Sequence, residues 1–172
     1  MKTHRVLVLV AASAFTLLQA SPAAGADGKA EGTLAVAQAP VKLSHAYAAA
    51  QKGFFDGKVD DVLVLLTDVP LSGAALTDPF ERRKMEKEGK LRSVEAVIDA
   101  KGQPINVTVR DKAFGGPPVS GGSTEDIFEP KTNDGKTIAG RLHRNKPGTS
   151  FDDVPFTYDV TFSAPVAPRP KK

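Results

Sequence analysis

The sequence predicts a mainly β fold, an antiparallel β-sandwich or partly open barrel of seven to eight strands with one surface helix inserted after the central strand. Three observations lead there. Short runs of alternating apolar and polar residues recur along the chain, separated by Gly, Pro, Asn and Asp turn signals. The run Val62-Leu-Val-Leu-Leu66 is apolar at every position, so both faces of that strand call for burial inside a sheet. Only one segment, Asp78 to Gly89, carries both a helix start and a helix stop.

In chain order, Gly32 to Gln38 alternates, with Leu34 and Val36 on one face, and reads as a first strand. Ala39-Pro40 marks a break. A second strand follows, with Val41, Leu43, His45 and Tyr47 on one face, and the two form a hairpin. Gln51 to Lys58 is a connection turning at Asp56-Gly57. Isolated aromatics usually pack against their own domain, so Phe54 and Phe55 are expected to pin this connection; the alternative is a small apolar tip exposed for contact. After the central strand, Pro70 ends the ladder and Ala74-Ala-Leu76 is a candidate single helical turn. Asp78 caps the helix, Pro79 takes its first position and Gly89 stops it. With only Phe80 and Met85 apolar, the helix is expected on the surface, burying little and supported by pairs such as Lys84–Glu88.

Arg92 to Asp99 and Ile105 to Val109 form a second hairpin across Lys101-Gly102. The segment Ala113 to Thr124 reads as a long glycine-rich loop, functional or mobile. Glu125 to Pro130 is a short edge strand, and Lys136 to Arg144 returns from an Asn133-Asp-Gly turn with Ile138 and Leu142 inward. Phe156, Tyr158, Val160 and Phe162 mark a strong last strand. Residues 27–163 are thus expected to form one β-rich domain, and residues 164–172 a disordered, Pro-rich basic tail.

The first residues address the chain. Lys2, His4 and Arg5 precede the mostly apolar Val6 to Leu18, and Ala24-Gly-Ala26 fits a cleavage site, so residues 1–26 read as a signal peptide. Those thirteen apolar-region residues fall short of the roughly 20 needed to span a bilayer. Cleavage would leave 21 basic against 20 acidic residues, removing any case for nucleic-acid binding. The expected location is periplasmic or secreted in a bacterium, with no transmembrane segment after cleavage. Without cysteine there is no disulfide or thiolate chemistry, and stability rests on the apolar core.

The order Gly32-x-Leu-x-Val36, then Val41-Lys-Leu-Ser-His-Ala-Tyr-Ala48, then Val64-Leu-Leu-Thr-Asp-Val-Pro-Leu71 resembles a group of small exported bacterial β-domain proteins without an assigned activity. The likeness spans about Gly32 to Arg110. It implies an exported β domain and carries over no site residue.

Candidate chemistry is sparse. His45 and His143 are the only histidines after cleavage; His45 reads as a hydrogen-bonded core residue, His143 as solvent-facing. No Gly-x-Ser-x-Gly elbow supports a serine triad, and no calcium-loop pattern appears. The adjacent pairs Asp60-Asp61, Glu125-Asp126 and Asp152-Asp153 read as solvated charge. Gly115-Gly116 and Gly121-Gly122 lack the Gly-Lys-Ser/Thr of a phosphate loop. No catalytic residue, metal ligand or cofactor is assigned. The expected function is an exported, non-enzymatic β-sandwich module that binds a protein or cell-envelope partner. The alternative is a ligand-binding or hydrolase-like domain using His45, Tyr47, Arg82, Arg83, Gly115 and Gly116.

Overall fold

A single antiparallel sheet curls into a half-barrel in the computed structural model, which describes residues 27–169. The predicted signal peptide and residues 170–172 lie outside the described residues. Its strands are β1 (Gly28–Val36), β2 (Ala39–Lys52), β3 (Asp60–Thr67), β4 (Ser93–Ile98), β5 (Pro104–Arg110), β6 (Val119–Gly121), β7 (Asp126–Asn133), β8 (Thr137–Arg144), β9 (Gly148–Thr149) and β10 (Pro155–Ala167). Helices α1 (Ala74–Thr77) and α2 (Pro79–Lys87) lie between β3 and β4. The sheet order is β6-β5-β4-β3-β2-β1-β10-β8-β7, with β9 paired to β10. Ten strands replace the expected seven or eight because β6 and β9, of three and two residues, carry too little pattern to read from sequence.

The central strand is where the apolar run placed it, hydrogen-bonded to β2 on one side and β4 on the other. Its Val62, Val64 and Leu66 enter the main core inside the half-barrel, with Leu34, Val94, Ile138, Leu142, Tyr158 and Phe162. On the outer face, Leu65 joins a second cluster with Tyr47, Leu71, Ala75 and Leu91, against which Leu63 and Met85 pack. The two helices roof this outer cluster.

Four local expectations are corrected. The first hairpin turns at Ala37-Gln38, both at positive φ, and Ala39 and Pro40 are already paired in β2. The β1–β2 register shifts between Lys29 and Gly32, so Leu43 faces the core but the inward positions then become Ala46 and Ala48. Tyr47 therefore lies outside, in the cluster under the helices, and does not share a face with Leu43. The stretch from Ala113 is not a free loop. Phe114 closes a 3-10 turn and packs edge-on against Phe156 at 5.8 Å, and Val119–Gly121 pairs with β5. Finally, the last strand runs past residue 163, with Ala164 fully buried and Val166 and Ala167 pairing in parallel with Ala48 and Ala49 of β2. Proline-rich composition hid an alternation that persists to the strand's end.

A strand packed on both faces should be sensitive on both. Leu66→Ala inside and Leu65→Ala outside are each expected to cost about 2–5 kcal/mol in urea denaturation. An outer-face loss below about 1 kcal/mol would mean that the helices do not seal that face.

Candidate functional site

The helix layer is docked by charge as much as by apolar contact. Arg82 and Glu86 are the buried residues of α2, whereas Phe80 is 81% exposed. Arg82 Nε donates to Glu95 Oε1 at 3.0 Å and Nη2 to Oε2 at 3.3 Å, while Nη1 donates to the Ala75 carbonyl at 2.9 Å. From β5, Arg110 Nε donates to the same Glu95 Oε1, and Arg110 Nη1 stands 3.5 Å from Glu86 Oε2. Arg83 completes the chain through Glu86 Oε1 at 2.5 Å and the Gly116 carbonyl at 2.7 Å. Three guanidinium groups thus alternate with two buried carboxylates, each charge facing an opposite one. Lone buried charges would be prohibitive; a chain of alternating sign is tolerable because each ion replaces water for its neighbour. Beyond the helix, Glu88 pairs with Lys90 at 2.8 Å rather than with Lys84.

The six sequence-predicted site residues fall into two groups. Arg82, Arg83 and Gly116 are brought together, with their polar groups spent on this network, and Gly115 caps the adjacent 3-10 turn at φ 70. His45 and Tyr47 lie elsewhere on the outer face. The Tyr47 hydroxyl accepts from the Leu71 amide at 2.9 Å, and His45 Nδ1 is 3.5 Å from Asp27 Oδ2. His45 is a quarter exposed, not the enclosed core histidine expected. The cross-strand row His45–Thr67–Ser93–Arg110 puts His45 three strands from Arg110, roughly 14 Å at the usual strand spacing. His143, expected in solvent, is largely covered and meets Glu129 at 3.2 Å.

A second polar constellation was missed by sequence reading. The two ends of the curled sheet, β5–β6 and β7, face each other across a seam, and a cavity of about 150 Å³ opens there between Val109, Val119, Ser123 and Phe156. In its wall, Asp126 is buried and accepts from the Tyr158 hydroxyl at 2.7 Å and from Arg144 Nη1. Arg144 lies over the Phe156 ring at 5.2 Å, and its Nε is buried without a partner. Asp126 and Arg144 are direct cross-strand partners, and both point inward. Parity offered the signal: Arg144 shares the face of Ile138 and Leu142. Asp126 is therefore not the solvated carboxylate expected. Nor is Asp61, which is buried and accepts the Phe54 amide at 2.8 Å. Burial and the neighbouring Asp126 carboxylate push the Tyr158 phenol far above its ordinary range, so this hydroxyl is no proton donor near neutrality. Among the described residues, no group of three or more His, Asp or Glu side chains is placed to hold a metal ion.

The third feature is apolar. Residues 53–59 form the tip of the β2–β3 hairpin, where Phe54 and Phe55 are 78% and 76% exposed, in edge-to-face contact at 5.1 Å. They do not pin the connection, contrary to expectation. Polar contacts hold it instead. The Gly53 amide donates to the Val59 carbonyl, the Val59 amide to the Asp56 carbonyl, and the Lys58 amide to the Asp56 side chain, at 2.9–3.1 Å. With the turn closed by its own backbone and by Asp61, the phenyl rings have no structural task.

The fold and these features define a mainly β half-barrel with a helix-covered outer face, a polar seam and an aromatic tip. No family model matches the chain, and no curated protein or solved structure matches it either.

Two measurements check the buried chemistry. Glu95→Ala leaves Arg82 and Arg110 facing each other without their shared carboxylate, and should cost about 3–5 kcal/mol in chemical denaturation. A loss within about 1 kcal/mol would mean that the network carries no structural weight. The chain has two tyrosines, and burial raises both phenols above the ordinary value of 10.0. Because the folded pKa values are raised, the stabilisation is complete below about pH 10 and is lost as pH rises above it. In tyrosinate absorbance, Tyr158 should therefore ionise only together with unfolding, and Tyr47 above the ordinary phenol value. A non-cooperative step at the ordinary phenol value would contradict this.

Proposed function

We propose that this protein is an exported, non-enzymatic module that binds a protein or another cell-envelope component, and that the β2–β3 tip is its contact element. One observation carries the reading: two adjacent phenylalanines stand in water on a turn that does not need them. Each exposed ring forgoes roughly 1.5–3 kcal/mol of burial, which a partner can recover. The tip projects, because Val62 is the last β3 residue paired with β4 and Ala49 the last β2 residue paired with β10. Its internal hydrogen bonds mean that little ordering entropy remains to be lost on contact.

The chemistry elsewhere supports binding over catalysis. The guanidinium groups of Arg82 and Arg110 are neutralised within the fold, and the seam trio holds a tyrosine that stays protonated at neutral pH. A site joining His45 to the glycine-rich segment finds no support in the roughly 14 Å that separates His45 from the Arg110 network.

The test is site-specific photo-crosslinking in the cells that produce the protein. A photoreactive phenylalanine analogue at position 55 should yield adducts with a partner, and the same analogue at Phe151, which is 96% exposed near the start of β10, should not. Equal yields at both positions, or none at 55, would remove the tip from this role.

A further inference from the structure

The end of the half-barrel that carries the tip has a charge distribution of its own. Strand directions bring three turns to that end: residues 53–59 between β2 and β3, 99–103 between β4 and β5, and 134–136 between β7 and β8. Lys52, Lys58, Lys101 and Lys136 are exposed there, and none forms an ion pair among the described residues. The carboxylates of the same turns are folded back onto backbone. Asp56 accepts the Lys58 amide, Asp99 accepts the Lys101 and Gln103 amides, and Asp134 accepts the Lys136 and Thr137 amides. Asp60, at the base of the tip, is paired with Arg169 at 2.9 Å. The acidic side chains are thus held by the turns' own amides, and four exposed lysines without ion-pair partners stand on or beside the same turns as the aromatic tip.

We propose that this end docks on an anionic lipid surface, with Phe54 and Phe55 entering the interfacial region and the four lysines meeting lipid headgroups. The proposal rests on the tip being the contact element. Separate exposed cations on turns at the same end as a projecting aromatic pair suit a broad, planar, negatively charged surface better than a shaped protein pocket. Entry into that region penalises unsatisfied backbone groups, and the amides of Gly53, Phe54, Lys58 and Val59 are already hydrogen-bonded within the hairpin. No helix of the described residues is long and apolar enough to cross a membrane. Attachment would be peripheral and reversible, since two rings and a few cations fall well short of a spanning segment.

The chain contains no tryptophan, so a single introduced one reports its own surroundings. Phe55→Trp protein mixed with vesicles of phosphatidylethanolamine and phosphatidylglycerol should show a blue-shifted emission. The shift should shrink with added salt and on vesicles of phosphatidylcholine alone. Phe151→Trp, near the opposite end of the barrel, should not shift. In co-sedimentation with the anionic vesicles, Phe54→Ser/Phe55→Ser should bind about tenfold or more weakly than wild type. Lys52→Glu/Lys58→Glu, which leaves the rings in place, should also bind more weakly. All four substituted side chains are exposed, and an unchanged urea midpoint would show that folding is intact. Absence of a shift at position 55, or equal shifts at 55 and 151, overturns the lipid proposal. If position 55 then still crosslinks to a protein in cells, the binding-module reading survives and only the lipid partner is lost.

Discussion

Everything in this fold answers to the need to bury both faces of β3. Its inner side chains are satisfied by the curl of the sheet, which brings β8 and β10 over β3 and β4 around one core. Its outer side chains require a second layer, supplied by Leu71, Leu91 and Ala75 of α1 together with the short, highly charged α2. That helix cannot seal the surface with hydrocarbon, because Phe80 faces water and Met85 is its only other apolar contact after Pro79. The Arg82–Glu95–Arg110–Glu86–Arg83 chain supplies the missing attachment, so the outer layer depends on charges that alternate in sign and would be untenable singly.

The curl imposes a second constraint, closure. β10 is long enough to pair with β1 and β8, and at its end with β2 in parallel, which locks one side of the half-barrel. On the other side the sheet ends do not zip together, and the polar trio of Asp126, Arg144 and Tyr158 occupies the inward-facing row beside that seam. An open seam admits water to part of the wall. A hydrogen-bonded Asp–Arg pair is tolerable there, where an isolated charge deeper in the core would not be.

The tip is the place where fold and function diverge. Asp61, buried at the hairpin base, and Asp56 within the turn do the structural work that aromatic packing would otherwise do. This frees the two rings from the fold, while the carboxylates of the neighbouring turns bond to their own backbone and the lysines there have no ion-pair partner among the described residues. A surface with an apolar summit and unpaired lysines beside it follows from where the turns lie, not from net charge, which is close to balanced after the predicted cleavage.

Local periodicity carried most of the fold. The two apolar faces of Val62–Leu66, the capped and glycine-stopped helix and the alternating strands are short-range patterns, and they determined the β class, the central strand and the position of the helix. What the sequence could not determine required partners distant in the chain. One register shift opposite His45 moved Tyr47 from the core face to the outer cluster. Burial of Arg82 and Glu86 depended on Arg110 and Glu95 arriving from other strands, which no helix pattern encodes. Exposure of Phe54 and Phe55 was decided in the same way, by Asp61 satisfying the turn before the rings were needed. Sequence set the elements because their signals are local; tertiary structure chose which polar groups are buried and which apolar ones remain in water, because each such choice is a pairing between segments.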